Sequence, residues 1–381
     1  MEEIENIKTS NNKDADIKFA AARLSELLDE HYGDYYVEIY KEEYAKPIFK
    51  QGITITNDTK IIACAINLNK THKVKFITND LNQKHIAKLF LNDVDAIKEE
   101  KDYDGYKEIV MNETEMANFY QNFYKNENTY NLLINEYLII RDESGELVDK
   151  YCWTGEGYRH LDYGSFNSPH LGEVKPMKND IYQAMLADSF RNNKITLVKG
   201  SAGTGKSYMS LAFLLHQLSK GKISKIIIFC NTVATKDSAK LGFYPGTRDE
   251  KLLDSQIGNF LSSKLGDKLA VEQMIQQGTL VLLPMSDIRG YDTSGMNAGI
   301  YITEAQNLSI NLMKLALQRI GEDSICIIDG DCKTQVDDVA FSGNNNGMKR
   351  VSKVFRNSDI YGEVTLKNIH RSEIGRLAEK M

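Results

Sequence analysis

The residues with the clearest chemical purpose in this chain are Gly200-Ser201-Ala202-Gly203-Thr204-Gly205-Lys206-Ser207. Gly200, Gly203 and Gly205 let the backbone take conformations that a Cβ forbids, so successive N–H groups can converge on one phosphate. Lys206 is spaced to reach the β- and γ-phosphates of a nucleoside triphosphate. The Ser207 hydroxyl can complete a Mg2+ shell made otherwise of water and phosphate oxygen. An apolar run (Ile195, Leu197, Val198) precedes this loop, and Met209, Leu211, Ala212 and Leu215 follow it at helical spacing. Strand, loop and helix in that order bring the positive end of a helix under the same phosphate. All eight residues are therefore candidate ligands of ATP and Mg2+. A glycine loop of purely structural use is the alternative, but the pattern arises by chance in only about one or two chains in a hundred of this length.

Two later apolar runs carry the acids such a site needs. Gly299-Ile300-Tyr301-Ile302 leads into Thr303-Glu304-Ala305-Gln306-Asn307, and Ile325-Cys326-Ile327-Ile328 leads into Asp329-Gly330-Asp331, with Gln335 beyond. A carboxylate at a strand tip beside a phosphate loop can orient the attacking water, so Glu304 is the candidate general base and a candidate metal ligand. The tip carrying Asp331 and Gln335 is expected to face the γ-phosphate. Further apolar runs at 225–229 and 280–283, the latter followed by Ile288-Arg289-Gly290, complete the pattern of a parallel sheet with ligands at its carboxyl edge.

The elements ahead of this half read as two more modules. Ile17, Ala20, Ala21, Leu24, Leu27 and Leu28 predict an amphipathic helix over 16–29. An alternating run at Ile53-Thr54-Ile55 precedes a helix from Thr59 to Leu68, with Asn57 or Asp58 as its expected N-cap. A strand at Val74–Thr78 then stops at Asn79-Asp80, and a further helix carries Ile86, Leu89 and Phe90. This rhythm is an α/β unit, with Asp58 and Asp80 at or near the ends where open sheets place their chemistry. A helix over 113–125, a hairpin through Tyr137–Ile140 and Leu147-Val148, and Trp153, Tyr158 and Tyr163 among glycines suggest a small β-rich connector. Those rings either stack on bases or fill a core. Pro169 and Pro176 mark the entry to the nucleotide half. The expected domains are 1–112, 113–174 and 175–381.

With 381 residues the chain exceeds one ordinary core. No run of 18 apolar residues and no secretory leader is present, so a soluble, cytoplasmic protein without a membrane partner is expected. Five cysteines without a C-x-x-C pair argue against disulfides and zinc. A net charge of −6 means that a nucleic-acid partner would need a local basic surface, which the sequence does not reveal.

Two resemblances sharpen these expectations. Asn57–Ala65 and Val74–Asp80 resemble the closing half of a PIN nuclease domain, and Glu2–Lys8 looks like that family's Glu-Glu-Leu-Asp segment. The resemblance implies Glu3, Asp58 and Asp80 as metal-holding acids. The opening strand of that fold, with its own acid, has no counterpart ahead of Met1, so an N-terminally truncated, inactive domain is expected. The nucleotide half resembles the PhoH family of P-loop ATPases through Gly200–Ser207, Lys240-Leu241-Gly242-Phe243 with Pro245-Gly246, Arg289-Gly290, Glu304–Asn307, Gly330-Asp331 with Gln335, and His370-Arg371-Ser372. That resemblance implies a RecA-like fold, an RNA-associated, helicase-like ATPase, and a homo-oligomeric ring such as a hexamer. It also implies a catalytic Lys206, Glu304 and Gln335, and an arginine finger at Arg371, with Arg289 or Arg319 as alternatives. Family members are common in bacteriophages, where the location would be the host cytoplasm. Gln183 occupies the place of the adenine-reading glutamine of superfamily-one helicases, although an exposed helical glutamine would read the same. Thr303 stands where the family usually has the Walker B aspartate, and a hydroxyl holds Mg2+ less strongly than a carboxylate. A nucleotide-gated assembly protein with slow hydrolysis, and an active PIN ribonuclease driven by an ATPase motor, are the alternative readings.

Overall fold

In the computed structural model, residues 2–10, 15–96, 102–230, 256–332 and 345–370 are described here. The chain divides into two compact units, Met1–Asp102 and Tyr103–Met381.

The first unit contains helices α1 (Glu2–Thr9), α2 (Ala15–Glu30), α3 (Lys46–Lys50), α4 (Asn57–Leu68) and α5 (Leu81–Lys88). Two short strands, β1 (Phe76–Ile77) and β2 (Val94–Asp95), pair in parallel. Ile48, Ile62, Ala63 and Ala87 pack against Phe76, Leu91 and Val94 to form its core. Ile53–Ile55 forms no strand. Thr56 rather than Asn57 or Asp58 caps α4, because Thr56 and Thr59 exchange side-chain bonds to each other's N–H in a capping box.

In the second unit a four-stranded sheet, β3 (Tyr106–Val110), β4 (Tyr137–Arg141), β5 (Leu147–Trp153) and β6 (Tyr158–His160), is covered on one face by α6 (Glu113–Phe123). Alternation along β4 explains the layering: Leu138 and Ile140 face Phe119 and Trp153, whereas Tyr137 and Ile139 face Met185 and Leu186 on the other side. Trp153 and Tyr158 are thus part of a packed aromatic cluster, 5.0 Å between centroids, and are not a base-stacking platform; Tyr163 remains exposed. The expected boundaries shift accordingly. Strand β3 begins six residues before 112 and pairs in parallel with β4, and Tyr137, Ile139 and Cys152 share one core with α7 (Ile181–Asn192). The connector is a layer of the second unit. Asp188 of α7, fully buried, ties it down by accepting from the two terminal guanidinium nitrogens of Arg159 (2.7 and 2.8 Å) and from Tyr137 Oη (2.9 Å). A hairpin of β7 (Phe166–Ser168) and β8 (Gly172–Val174) lies on α8 (Lys206–Ser219) through Phe166 and Phe213.

The main sheet has six parallel strands: β9 (Ile195–Gly200), β10 (Lys225–Cys230), β11 (Leu280–Pro284), β12 (Ala298–Ile302), β13 (Ile325–Gly330) and β14 (Tyr361–Leu366). Their order is β11-β10-β12-β13-β9-β14. Both faces are covered, which is why these strands read as nearly continuous apolar runs. Val198, Tyr301 and Ile327 pack toward α7 and α8, while Leu197, Ile300, Ile302 and Ile328 pack toward α11 (Ile310–Leu317) and α12 (Gly347–Phe355). Helices α9 (Gln256–Leu265) and α10 (Lys268–Gln276) precede β11. Strand β14 has no apolar run to announce it, because its buried Glu363 is paired with Lys199 (2.7 Å) and Tyr361 Oη (2.6 Å). Among the described residues no helix is long and apolar enough to cross a membrane.

Candidate functional site

Strand β9 ends at Gly200 and α8 starts at Lys206, so the glycine loop turns at the carboxyl edge of the sheet, between β13 and β14. Gly205 is the N-cap of α8 at φ 94°, a left-handed conformation costly for any residue with a Cβ. The loop is braced from inside by Thr204, whose Oγ1 donates to Ser201 O at 2.9 Å. Lys206 folds its ammonium across the loop onto Gly200 O (2.5 Å) and Ser201 O (2.9 Å). Ser201, Ala202 and Gly203 complete the turn without being buried.

The neighbouring strand tips bring carboxylates to this edge. Ser207 Oγ donates to Asp329 Oδ2 at 2.9 Å, Tyr301 Oη donates to the same oxygen at 2.6 Å, and the Glu304 N–H points at Asp329 Oδ1 at 3.3 Å. Burial, and then the charge of Asp329, push the Tyr301 hydroxyl well above its ordinary range, so it remains a donor. Glu304 is exposed and sits at φ 52°, unusual for a residue with a side chain and a common mark of a functional turn. Its Oε2 accepts from Gln306 Nε2 at 2.7 Å, and Gln306 Oε1 accepts the Asp331 N–H at 3.1 Å. Asp331 itself is buried. One amide therefore sets the spacing between the tips of β12 and β13.

Other expected residues fall elsewhere. Gln183 is 3% exposed, with Nε2 donating to Thr204 O (3.1 Å) and Oε1 accepting from Met177 N (2.9 Å). It is neither an exposed helical glutamine nor an amide turned toward a base: it supports the loop from behind, and to read adenine it would have to release these bonds. Arg289 follows β11, the far edge strand, four strand spacings from β9, or roughly 19 Å. The structure does not bring it to its own loop. Arg319 lies between α11 and the start of β13, at the opposite edge of the sheet. Gln335, Arg371 and the 240–246 segment lie outside the described residues. His370 is described, and it reaches the loop: its N–H donates to Gly203 O (2.9 Å), and its Nε2 lies 2.5 Å from Asp180 Oδ2, at the N-cap of α7.

In the first unit, Asp80 caps α5 by accepting the Gln83 N–H at 2.7 Å. Gln83 Nε2 lies 3.4 Å from Asp58 Oδ1, so one glutamine links the two expected acids. Glu3 is on α1, and its side chain is outside the described set. Among the described residues no group of three or more His, Cys, Asp or Glu gathers as a metal site. Cys64, Cys152, Cys326 and Cys332 are unbridged, and burial pushes the Cys152 thiol up to about 12.

Asp329, Tyr301 and Asp180 were not singled out by sequence reasoning. Asp329 and Tyr301 lie within apolar strands, and the one available signal was an acid ending a strand beside Gly330.

Comparison with known proteins agrees with this layout. A PIN domain family model matches residues 1–90, and the model described as PhoH-like protein matches residues 173–381. The chain is 28% identical over 360 residues to protein PhoH2 of Bacillus subtilis, covering 85% of this chain and 77% of that protein. It is 34% identical over 167 residues to a PhoH-like protein of B. subtilis (43% of this chain, 49% of that protein). Against a PhoH-like protein of Mycobacterium tuberculosis it is 31% identical over 157 residues (41% and 43%). The chain thus spans most of the first relative and less than half of the other two. With a match over more than half its length, centred on the loop and strand tips described above, the chain belongs to the PhoH-like protein family, with a PIN domain at its N-terminus.

Proposed function

We propose that this protein binds ATP with Mg2+ at the 200–207 loop, hydrolyses it, and couples that turnover to single-stranded RNA. The observation that carries the nucleotide reading is the convergence at one sheet edge: Lys206 lies across the loop mouth, and the Ser207–Asp329 and Glu304–Gln306 pairs stand on adjacent elements. Loop N–H groups and the α8 terminus would bind the phosphates, and Lys206 would exchange its two carbonyl partners for phosphate oxygens. Mg2+, when bound, would neutralise charge on the β- and γ-oxygens. Glu304, held by Gln306, would accept a proton from the water that attacks the γ-phosphorus as the bond to the β–γ bridging oxygen breaks.

Two oxygens of the Ser207–Asp329 pair are hard donors suited to Mg2+, which takes the rest of its shell from phosphate and water. RNA as client and assembly into a homo-oligomeric ring rest on the resemblance to RNA-associated ring ATPases. The distance of Arg289 from its own loop is what an arginine serving a neighbouring subunit's nucleotide requires. The N-terminal PIN domain is read as a structural, non-cleaving module in cytoplasm.

ATP turnover with and without single-stranded RNA, with Lys206→Ala as control, tests this. Turnover abolished by Lys206→Ala and raised by RNA is expected. A rate indifferent to RNA would remove the client and leave the nucleotide reading; a rate indifferent to Lys206→Ala would remove both.

A further inference from the structure

At the tip of β12, position 303 is a hydroxyl and Glu304 is read as the base, yet the site is not short of a further carboxylate. In the parallel pairing of β12 with β13, Ile302 is opposite Ile328, so Thr303 and Asp329 are the next neighbours across the ladder. Side chains alternate along both strands. Ile302 and Ile328 belong to the core under α11 and α12, whereas Tyr301 and Ile327 belong to the core under α7 and α8. Position 303 and position 329 therefore share the α8 face, side by side. It is Asp329 that meets the helix: its Oδ2 accepts from Ser207 Oγ at 2.9 Å.

Asp329 is 2% exposed, and among the described residues Ser207, Tyr301 and the Glu304 backbone donate to it. A carboxylate this deeply placed, with one oxygen on the hydroxyl expected to touch Mg2+ and the other on the turn that carries Glu304, is oriented for a task at the loop.

We infer that Asp329 supplies, from the adjacent strand, the carboxylate that secures Mg2+ at this site, in place of the acid absent at Thr303. Asp329 stands one strand along the sheet edge from Thr303, on the same face, with Ser207 as its partner. This rests on the reading of the loop as a Mg2+–ATP site. Asp329 acts on the ion together with Ser207, directly or through one of the ion's waters, since Mg2+ dehydrates reluctantly. Its bond to the Glu304 N–H also couples the metal position to the turn holding the base.

The test measures nucleotide affinity, not turnover: binding of a fluorescent ATP analogue to the full chain in Mg2+ and in EDTA. The parent protein is expected to bind more tightly in Mg2+. Asp329→Asn, which keeps shape but not charge, is expected to reduce that Mg2+-dependent gain by about 10-fold or more, the usual cost of disturbing an ion's supporting carboxylate. Affinity in EDTA should stay equal or rise. The swap Thr303→Asp with Asp329→Thr, which leaves one acid and one hydroxyl on the same two tips, should restore most of the gain and also tests the idea if Asp329→Asn does not fold. An unchanged gain in Asp329→Asn, an equal loss in Mg2+ and EDTA, or a folded swap protein without recovery would each overturn the inference while leaving nucleotide binding intact. A parent protein that binds no analogue in either condition would overturn the Mg2+–ATP reading, and this inference with it.

Discussion

Gln306 donates from Nε2 to Glu304 Oε2 at 2.7 Å, and it does so from two residues further along a turn whose first residue is left-handed. The same amide accepts the Asp331 N–H, so the position of Glu304 is tied to the tip of β13. Glu304→Gln removes the proposed base and keeps the shape. ATP should remain bound while kcat falls by about 10²-fold or more. Binding measured by equilibrium dialysis beside phosphate release separates the two; release at the parental rate would move the general base elsewhere. Gln306→Ala should lower kcat less, with nucleotide affinity unchanged.

Lys206 has two loop carbonyls as partners in the described state, and no other cation is supplied by the loop itself. Lys206→Ala should abolish ATP hydrolysis, because the one ammonium that the loop itself would supply to the β- and γ-phosphates is gone. Residual turnover near the parental rate in a folded variant would show that phosphate charge is met from outside the loop.

Asp188 carries a stability prediction. It is fully buried and meets Arg159 through two bonds, Tyr137 Oη, the Asp162 N–H (2.6 Å) and Asn192 Nδ2 (3.2 Å). Asp188→Ala leaves a half-buried guanidinium and a buried phenol without their acceptor, and should cost about 3–5 kcal/mol in chemical denaturation. The sheet carrying Arg159 and Tyr137 should loosen first, seen as faster hydrogen exchange in residues 137–160. A change under about 1 kcal/mol would mean that water replaces the carboxylate there.

Asp80 and Asp58 both engage Gln83, one as a helix cap and one through the amide, which gives each acid a structural partner. Purified protein should leave labelled single-stranded RNA intact in Mg2+ or Mn2+, and Asp80→Asn should change little, because Asn caps a helix about as well as Asp. Cleavage that vanishes in Asp80→Asn would restore a nuclease role for the PIN domain; cleavage unaffected by it would point to a contaminant.

Some of this was determined by sequence alone, because it depends on short-range order. The loop 200–207, with its strand before and helix after, follows from glycine spacing and apolar period. So do the apolar strands β9 to β13, since strands buried on both faces cannot be anything but continuous hydrophobic runs. The tertiary structure decided what depends on which strand lies beside which. Strand order places Arg289 far from its loop and Asp329 against Ser207, although 122 residues separate the latter pair in sequence. No periodicity encodes that adjacency. Gln183 gave the pattern of an adenine reader, but the fold spends its amide on Thr204 and Met177, because a buried amide must find partners wherever the backbone offers them. Strand β14 stayed hidden for the converse reason: Glu363 reads as a surface residue until Lys199, on the adjacent strand, neutralises it in the core. Local patterns disclose which atoms can do chemistry, while the packing of the sheet determines which of them meet.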